Sequence, residues 1–142
     1  MRVVIDTSVW VSALLSPESN ARRVLEVFLD ERFVLLYNRE TLLELRDVSK
    51  RPKFKGKIAA RQWTALERKI RTLGEPIGIT QRAETSDPKD DYLLEIALSG
   101  DADALVTLDG VDLLSITHIK KPKIINAGQF LKMLGFKLKP SN

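Results

Sequence analysis

Residues 1–8 read MRVVIDTS and residues 102–109 read ADALVTLD. Val3, Val4 and Ile5 form a short β-branched run, and Ala104, Leu105 and Val106 a second apolar one; both read as buried parallel strands. Each run is followed closely by an aspartate, Asp6 in the first case and Asp109 in the second. An ionised carboxylate is costly beside an apolar core unless something binds it. Open α/β sheets bind ligands just outside the carboxyl ends of their strands. Asp6 precedes Thr7 and Ser8, both good helix N-caps, so a plain capping role is the alternative for that aspartate. Repetition of the arrangement at a second strand favours a site.

Between these strands the pattern alternates. Residues 9–15 suit a short helix stopped at Ser16-Pro17. Residues 20–30 carry a helical stripe of Ala21, Val24, Leu25, Phe28 and Leu29. FVLLY at 33–37 reads as a strand, and residues 39–48 as a helix with Thr41, Glu44, Leu45 and Val48 on one face. Pro52 closes that helix. Residues 58–73 predict a helix burying Trp63, Leu66 and Ile70, with Gly74 as its stop and Arg61, Arg68, Lys69 and Arg71 on exposed sides. A weak strand follows at 76–80. SDPKDDYLLEIALSG, residues 86–100, opens a helix with Ser86 or Asp87 at the N-cap, Pro88 at the first position and acids in the first turn. It is buried through Leu93, Leu94, Ile96, Ala97 and Leu98. Strands at 104–108 and 123–126 and a helix at 127–134 complete the chain. The reading is one α/β domain over residues 1–142, with a mostly parallel central sheet flanked by helices and a loose tail from about residue 136.

The 142 residues are 44% hydrophobic and 30% charged, ordinary for a chain that buries a core. Zero cysteines exclude disulfides, thiolate zinc sites and cysteine nucleophiles. No apolar run approaches membrane-spanning length and the first residues lack the features of a signal peptide, so a cytoplasmic protein is expected. The net charge of +4 conceals segregation. Residues 50–71 hold nine basic side chains and one acid, Glu67; residues 84–112 hold nine acids and one base, Lys89; residues 120–139 hold six lysines and no acid. Acids that hold a cation, flanked by bases that hold a polyanion, account for this pattern.

Glu44 is an acid within a stripe that faces the protein, and the first turn of the helix after Pro88 offers Asp90 or Asp91. On a helical wheel Asp90 lies nearer the centre of the Leu93, Leu94 and Ala97 stripe. With Asp6 and Asp109 these carboxylates repel one another unless a cation neutralises them. An oxygen-only donor set selects a hard ion such as Mg²⁺ or Mn²⁺, and such an ion suits phosphodiester hydrolysis. His118 is the only histidine, in a polar turn, so a two-histidine ribonuclease mechanism is excluded. The chain has no Gly-rich phosphate loop.

The order IDTS at the N-terminus, LLELRDV around Glu44, DPKDDYLLEIAL and ADALVTLDGVDLL resembles the PIN domain. In particular it is similar to the VapC-like toxins of prokaryotic toxin–antitoxin systems, over residues 2 to about 130. The resemblance implies a metal-binding and catalytic quartet of Asp6, Glu44, Asp91 and Asp109, with Thr7 assisting beside Asp6 and Asp112 at the rim. Family spacing thus selects Asp91 where the helical wheel selects Asp90. It further implies Mg²⁺- or Mn²⁺-dependent endonucleolytic cleavage of RNA, an antitoxin protein partner and a homodimer; the stripes after Pro17 are either its surface or ordinary core. Leu108 stands where the family commonly has glycine, and Ser8 where asparagine is frequent. The alternative is a PIN-like module that binds RNA or protein without cutting. Lys50, Arg51, Lys53, Lys55 and Lys57 form the expected RNA track.

Overall fold

The computed structural model describes residues 1–85, 87–108 and 119–138. Its elements are β1 (Arg2–Ile5), α1 (Thr7–Leu15), α2 (Asn20–Leu29), β2 (Val34–Tyr37), α3 (Arg39–Ser49), a 3₁₀ turn (Pro52–Phe54), α4 (Ala60–Leu73), β3 (Glu75–Pro76), α5 (Pro88–Ser99), β4 (Ala104–Val106), β5 (Lys123–Ile125) and α6 (Ala127–Met133). The strands form one sheet in the order β3-β2-β1-β4-β5, and every pairing is parallel. β1 is the middle strand, with Val3 opposite both Leu35 and Ala104, and Ile5 opposite Val106.

Side chains alternate across this sheet as the pleat requires. Val3, Ile5, Leu35, Ala104 and Val106 join a core with α1, α2, α3, α4 and α6, whereas Val4, Leu36 and Leu105 meet Leu93, Leu94, Ile96 and Ala97 of α5. Both faces of the central strands are therefore covered, which is why they read as unbroken apolar runs. The larger core holds an aromatic chain: Trp10 to Phe28 at 5.5 Å between ring centres, Phe28 to Phe33 at 6.0 Å, and Phe33 edge-on to Phe130 at 5.2 Å.

Two local expectations change. The α2 stripe of Ala21, Val24, Leu25 and Phe28 is core, filled by α1 and α6, so it is not an open dimer surface. The strand expected at 76–80 is only Glu75–Pro76. Ile77 still donates to the Tyr37 carbonyl at 2.8 Å, but the amides of Thr80 and Gln81 turn instead to the Ser99 hydroxyl at the end of α5. Gly74 closes α4 for reasons of space: a Cβ there would lie 2.5 Å from the Ile70 carbonyl oxygen and 2.9 Å from the Tyr37 ring. The segment past α6 is held as far as it is described. Phe136 lies beneath the guanidinium groups of Arg23 and Arg32 at 5.3 and 5.0 Å, and Arg23 donates to the Lys137 carbonyl.

Phe28 is 1% exposed between two other aromatic rings. Phe28→Ala is expected to cost about 3–5 kcal/mol. Urea unfolding followed by tryptophan fluorescence measures it.

Candidate active site

Topology brings three elements to one edge of the sheet. Asp6 leaves the carboxyl end of β1, and α3 starts directly after the carboxyl end of the neighbouring parallel strand β2. α5 arrives from the other direction. Its C-terminal Gly100 carbonyl accepts from Arg2 Nε at 2.8 Å, at the amino end of β1, so the N-terminus of α5 lies toward the carboxyl edge. The starts of both helices are set by local chemistry. Asn38 and Thr41 exchange reciprocal capping bonds at the head of α3. Asp87 caps α5 by accepting from the Lys89 amide at 3.0 Å, with Pro88 at the first position.

Asp6 occupies the N-cap position of α1, yet its side chain makes no capping bond to that helix. Thr7 and Ser8 are not caps but the first helical residues. The Asp6 carboxylate is held from the side. Its Oδ2 accepts from the Ser8 hydroxyl at 3.0 Å and from the Thr107 hydroxyl at 2.7 Å. The Asp6 amide donates to the Val106 carbonyl at 2.9 Å, and the Leu108 amide donates to the Ser8 hydroxyl at 3.2 Å. Two hydroxyls thus orient one carboxylate oxygen, at a helix N-terminus whose dipole favours negative charge.

Glu44, half-buried on α3, faces this group. Burial pushes its pKa above the ordinary carboxyl range; Arg51 pulls against that, and the negative charge of Asp6 pushes it further up. Tyr92 on α5 reports the same convergence. Its hydroxyl is raised by burial, interacts with Thr7, and feels the charges of Asp6, Glu44 and Asp90.

The two candidates on α5 part company here. Asp90 is 8% exposed, among the few buried charged side chains described. The carboxylate of Asp91 turns to the preceding loop, where its Oδ1 lies 2.7 Å from both the amide and the hydroxyl of Thr85. Asp91 also lines a recess of about 600 Å³ between α3 and α5, with Glu44, Glu40, Asp47, Arg82, Lys89 and Glu95 among its walls. Asp109, Asp112 and His118 lie outside the described residues. Among the described residues no three acidic or histidine side chains gather closely enough to hold one ion. The donors that do converge are carboxylates and hydroxyls, the chemistry of a hard divalent cation.

Lys50, Arg51, Lys53, Lys55 and Lys57 are all exposed around the 3₁₀ turn, which buried Phe54 pins to the core. Arg51 lies 3.7 Å from Asp47 and Lys53 stands over the Phe54 ring at 5.1 Å.

No local sequence pattern marks the Asp6-orienting roles of Ser8 and Thr107 or the place of Tyr92 beside these acids. Only the oddity of one tyrosine in an aliphatic stripe, next to two acids, could have pointed to the last.

A five-stranded, all-parallel sheet flanked by helices, with acidic side chains toward its carboxyl edge, is an α/β fold of the PIN-like class. The PIN domain family model matches residues 2–110, and the chain belongs to that family. PIN domains are generally nucleases that act on nucleic acid and use divalent metal ions. A search of curated proteins finds no match to the chain. No described helix is long and apolar enough to cross a membrane.

The raised Glu44 carboxyl has a signed consequence for stability. A carboxyl whose folded pKa exceeds its unfolded value favours the fold fully below the unfolded pKa, and that contribution is lost as pH rises through the folded one. Glu44→Gln is therefore expected to raise the metal-free melting temperature at pH 7 and to change it little at pH 4. Thermal melts in EDTA at the two pH values check this.

Proposed function

We propose that the chain is a Mg²⁺- or Mn²⁺-dependent endoribonuclease and the toxin of a toxin–antitoxin pair, with Asp6, Glu44, Asp90 and Asp109 holding the ion. The observation that carries the proposal is the Asp6 carboxylate: it sits at the head of α1 without capping it, fixed by Ser8 and Thr107, and its charge reaches Glu44. Asp90 replaces Asp91, the choice of family spacing, because Asp90 is buried and its charge reaches Tyr92 beside Asp6 and Glu44. Asp91 is engaged by Thr85 and holds the loop before α5 in place.

Asp6, Glu44, Asp90 and Asp109 would hold a divalent ion, which would supply Lewis-acid chemistry for phosphodiester hydrolysis. The chain's own residues do the remainder. Ser8 and Thr107 fix the direction of the Asp6 carboxylate, as outer-shell hydroxyls do. Thr7 engages the Tyr92 hydroxyl, which feels the charges of Asp6, Glu44 and Asp90. Glu44, half-buried and pushed against ionisation by the Asp6 charge, is a carboxylate whose repulsion a bound cation would relieve. Lys50, Arg51, Lys53, Lys55 and Lys57 draw in the RNA backbone that the acids alone would repel.

The toxin role rests on the resemblance of the four motifs to VapC-like chains, and the antitoxin partner and homodimer follow from it. A dimer would use exposed side chains such as Leu15 and Leu29 rather than the buried α2 stripe.

Three readings test the proposal. Asp6→Asn is expected to abolish the rise in melting temperature caused by Mn²⁺ and to lower RNA cleavage at least about 100-fold, whereas Thr107→Val costs roughly 10–100-fold in metal affinity. Expression in a bacterial host is expected to arrest growth, and Asp6→Asn to relieve the arrest. Reversal of Lys53, Lys55 and Lys57 to Glu is expected to weaken RNA binding and flatten its salt dependence while the Mn²⁺ shift survives. RNA bound but left intact by the unaltered chain with Mn²⁺ present would make the protein a binding module instead.

A further inference from the structure

α3 presents Glu44 toward α5, but its next residues, Leu45 and Arg46, face a second recess. This groove between α3 and α4 encloses about 460 Å³, within the range of small-molecule sites. Leu45, Ile58 and Trp63 supply apolar walls, and the ion pair of Arg46 with Glu67 supplies one polar edge. Arg46 donates to Glu67 from Nε at 2.8 Å and from Nη2 at 3.2 Å, and this pairing holds the Glu67 carboxyl below its ordinary range. The outer wall is the loop of the basic run: Lys55 and Gly56 line the groove, and Gly56 has a φ of +83°, which a side chain would strain.

We propose that this groove receives one unpaired nucleobase of the RNA, while Lys50, Lys55 and Lys57 hold the phosphates beside it. The inference rests on the nucleic-acid reading given above and adds a specificity site to it. Three observations carry it. The groove sets the apolar Leu45, Ile58 and Trp63 beside polar groups of Ser49, Thr64 and the Arg46–Glu67 pair, the mixture of contacts that the face and the edge of a base require. The charge selects a polyanion over an acidic or neutral protein segment. Glu67 is the only acid between residues 50 and 71, and it is occupied by Arg46 and, at 3.6 Å, by Arg71. Lys50, Lys55 and Lys57 make no ion pair among the described residues, so their charges remain available. A base stacked in a duplex cannot enter such a slot, so the site reads single-stranded RNA.

Filling the groove tests this. Thr64 and Ala60 line it from exposed positions on α4. Binding of a single-stranded oligoribonucleotide of about ten nucleotides is followed by fluorescence anisotropy in EDTA, which removes cleavage from the readout. An oligomer of the same length lacking its bases is measured in parallel. Thr64→Phe is expected to weaken the base-bearing strand roughly tenfold, to leave the abasic strand unchanged, and to keep the slope of affinity against salt. Ala60→Leu, a milder filling, is expected to act in the same direction, and it decides the matter alone if Thr64→Phe melts abnormally. Unchanged affinity for the base-bearing strand, or equal loss on both strands, overturns the base slot while leaving the nuclease reading intact. Failure of the unaltered chain to bind either strand overturns both.

Discussion

A charged carboxylate at the end of a fully buried strand is the constraint around which the molecule is arranged. β1 lies in the middle of the sheet, with Val3, Val4 and Ile5 at most 2% exposed, and the residue that follows them is ionisable. Leaving such a group unsolvated would cost several kcal/mol. The fold answers with the N-terminus of α1 and with hydroxyls from Ser8 on the same helix and Thr107 on the neighbouring strand's exit. The Thr107 bond spans 101 residues of sequence. It forms only because β1 and β4 pair in parallel and in register, so sheet pairing and site geometry are a single event.

The same parallel pairing sorts the charges. Helices that follow strands begin at the carboxyl edge, and α5, which precedes β4, has its N-terminus there too. Acids in or near first turns are stabilised by the helix dipole, and this places Asp90 and Asp91 at that edge. Glu44 is the exception. It lies one turn further along α3, where burial and the charge of Asp6 act against its ionisation.

α3 therefore serves two recesses from adjacent residues, an acidic one with α5 and a basic one with α4. The helical period of 3.6 residues makes this possible, since consecutive side chains point about 100° apart. The basic run owes its position to two anchors, buried Phe54 and buried Ile58, which tie the loop down while the lysines between them stay in solvent.

Much of this was legible in the order of residues. Apolar runs, proline and glycine stops and capping residues determined the strands and helices, because these signals act over a few neighbouring residues. β1, β2, α2, α3 and α5 begin and end within two or three positions of where the pattern placed them. The short β3 was not legible, since its pairing is cut off by a hydroxyl on a helix distant in sequence. Nor could one chain pattern separate the α2 stripe as core from the same stripe as an interface. The sequence by itself also singled out Asp6 and Glu44, and in the fold the charge of Asp6 acts on Glu44. Only the tertiary structure turned Asp91 to Thr85, buried Asp90 and brought Tyr92 within reach of the charges of Asp6, Glu44 and Asp90. Adjacent residues on a helix have nearly the same local propensities, and what separates them is the neighbour each one meets across space.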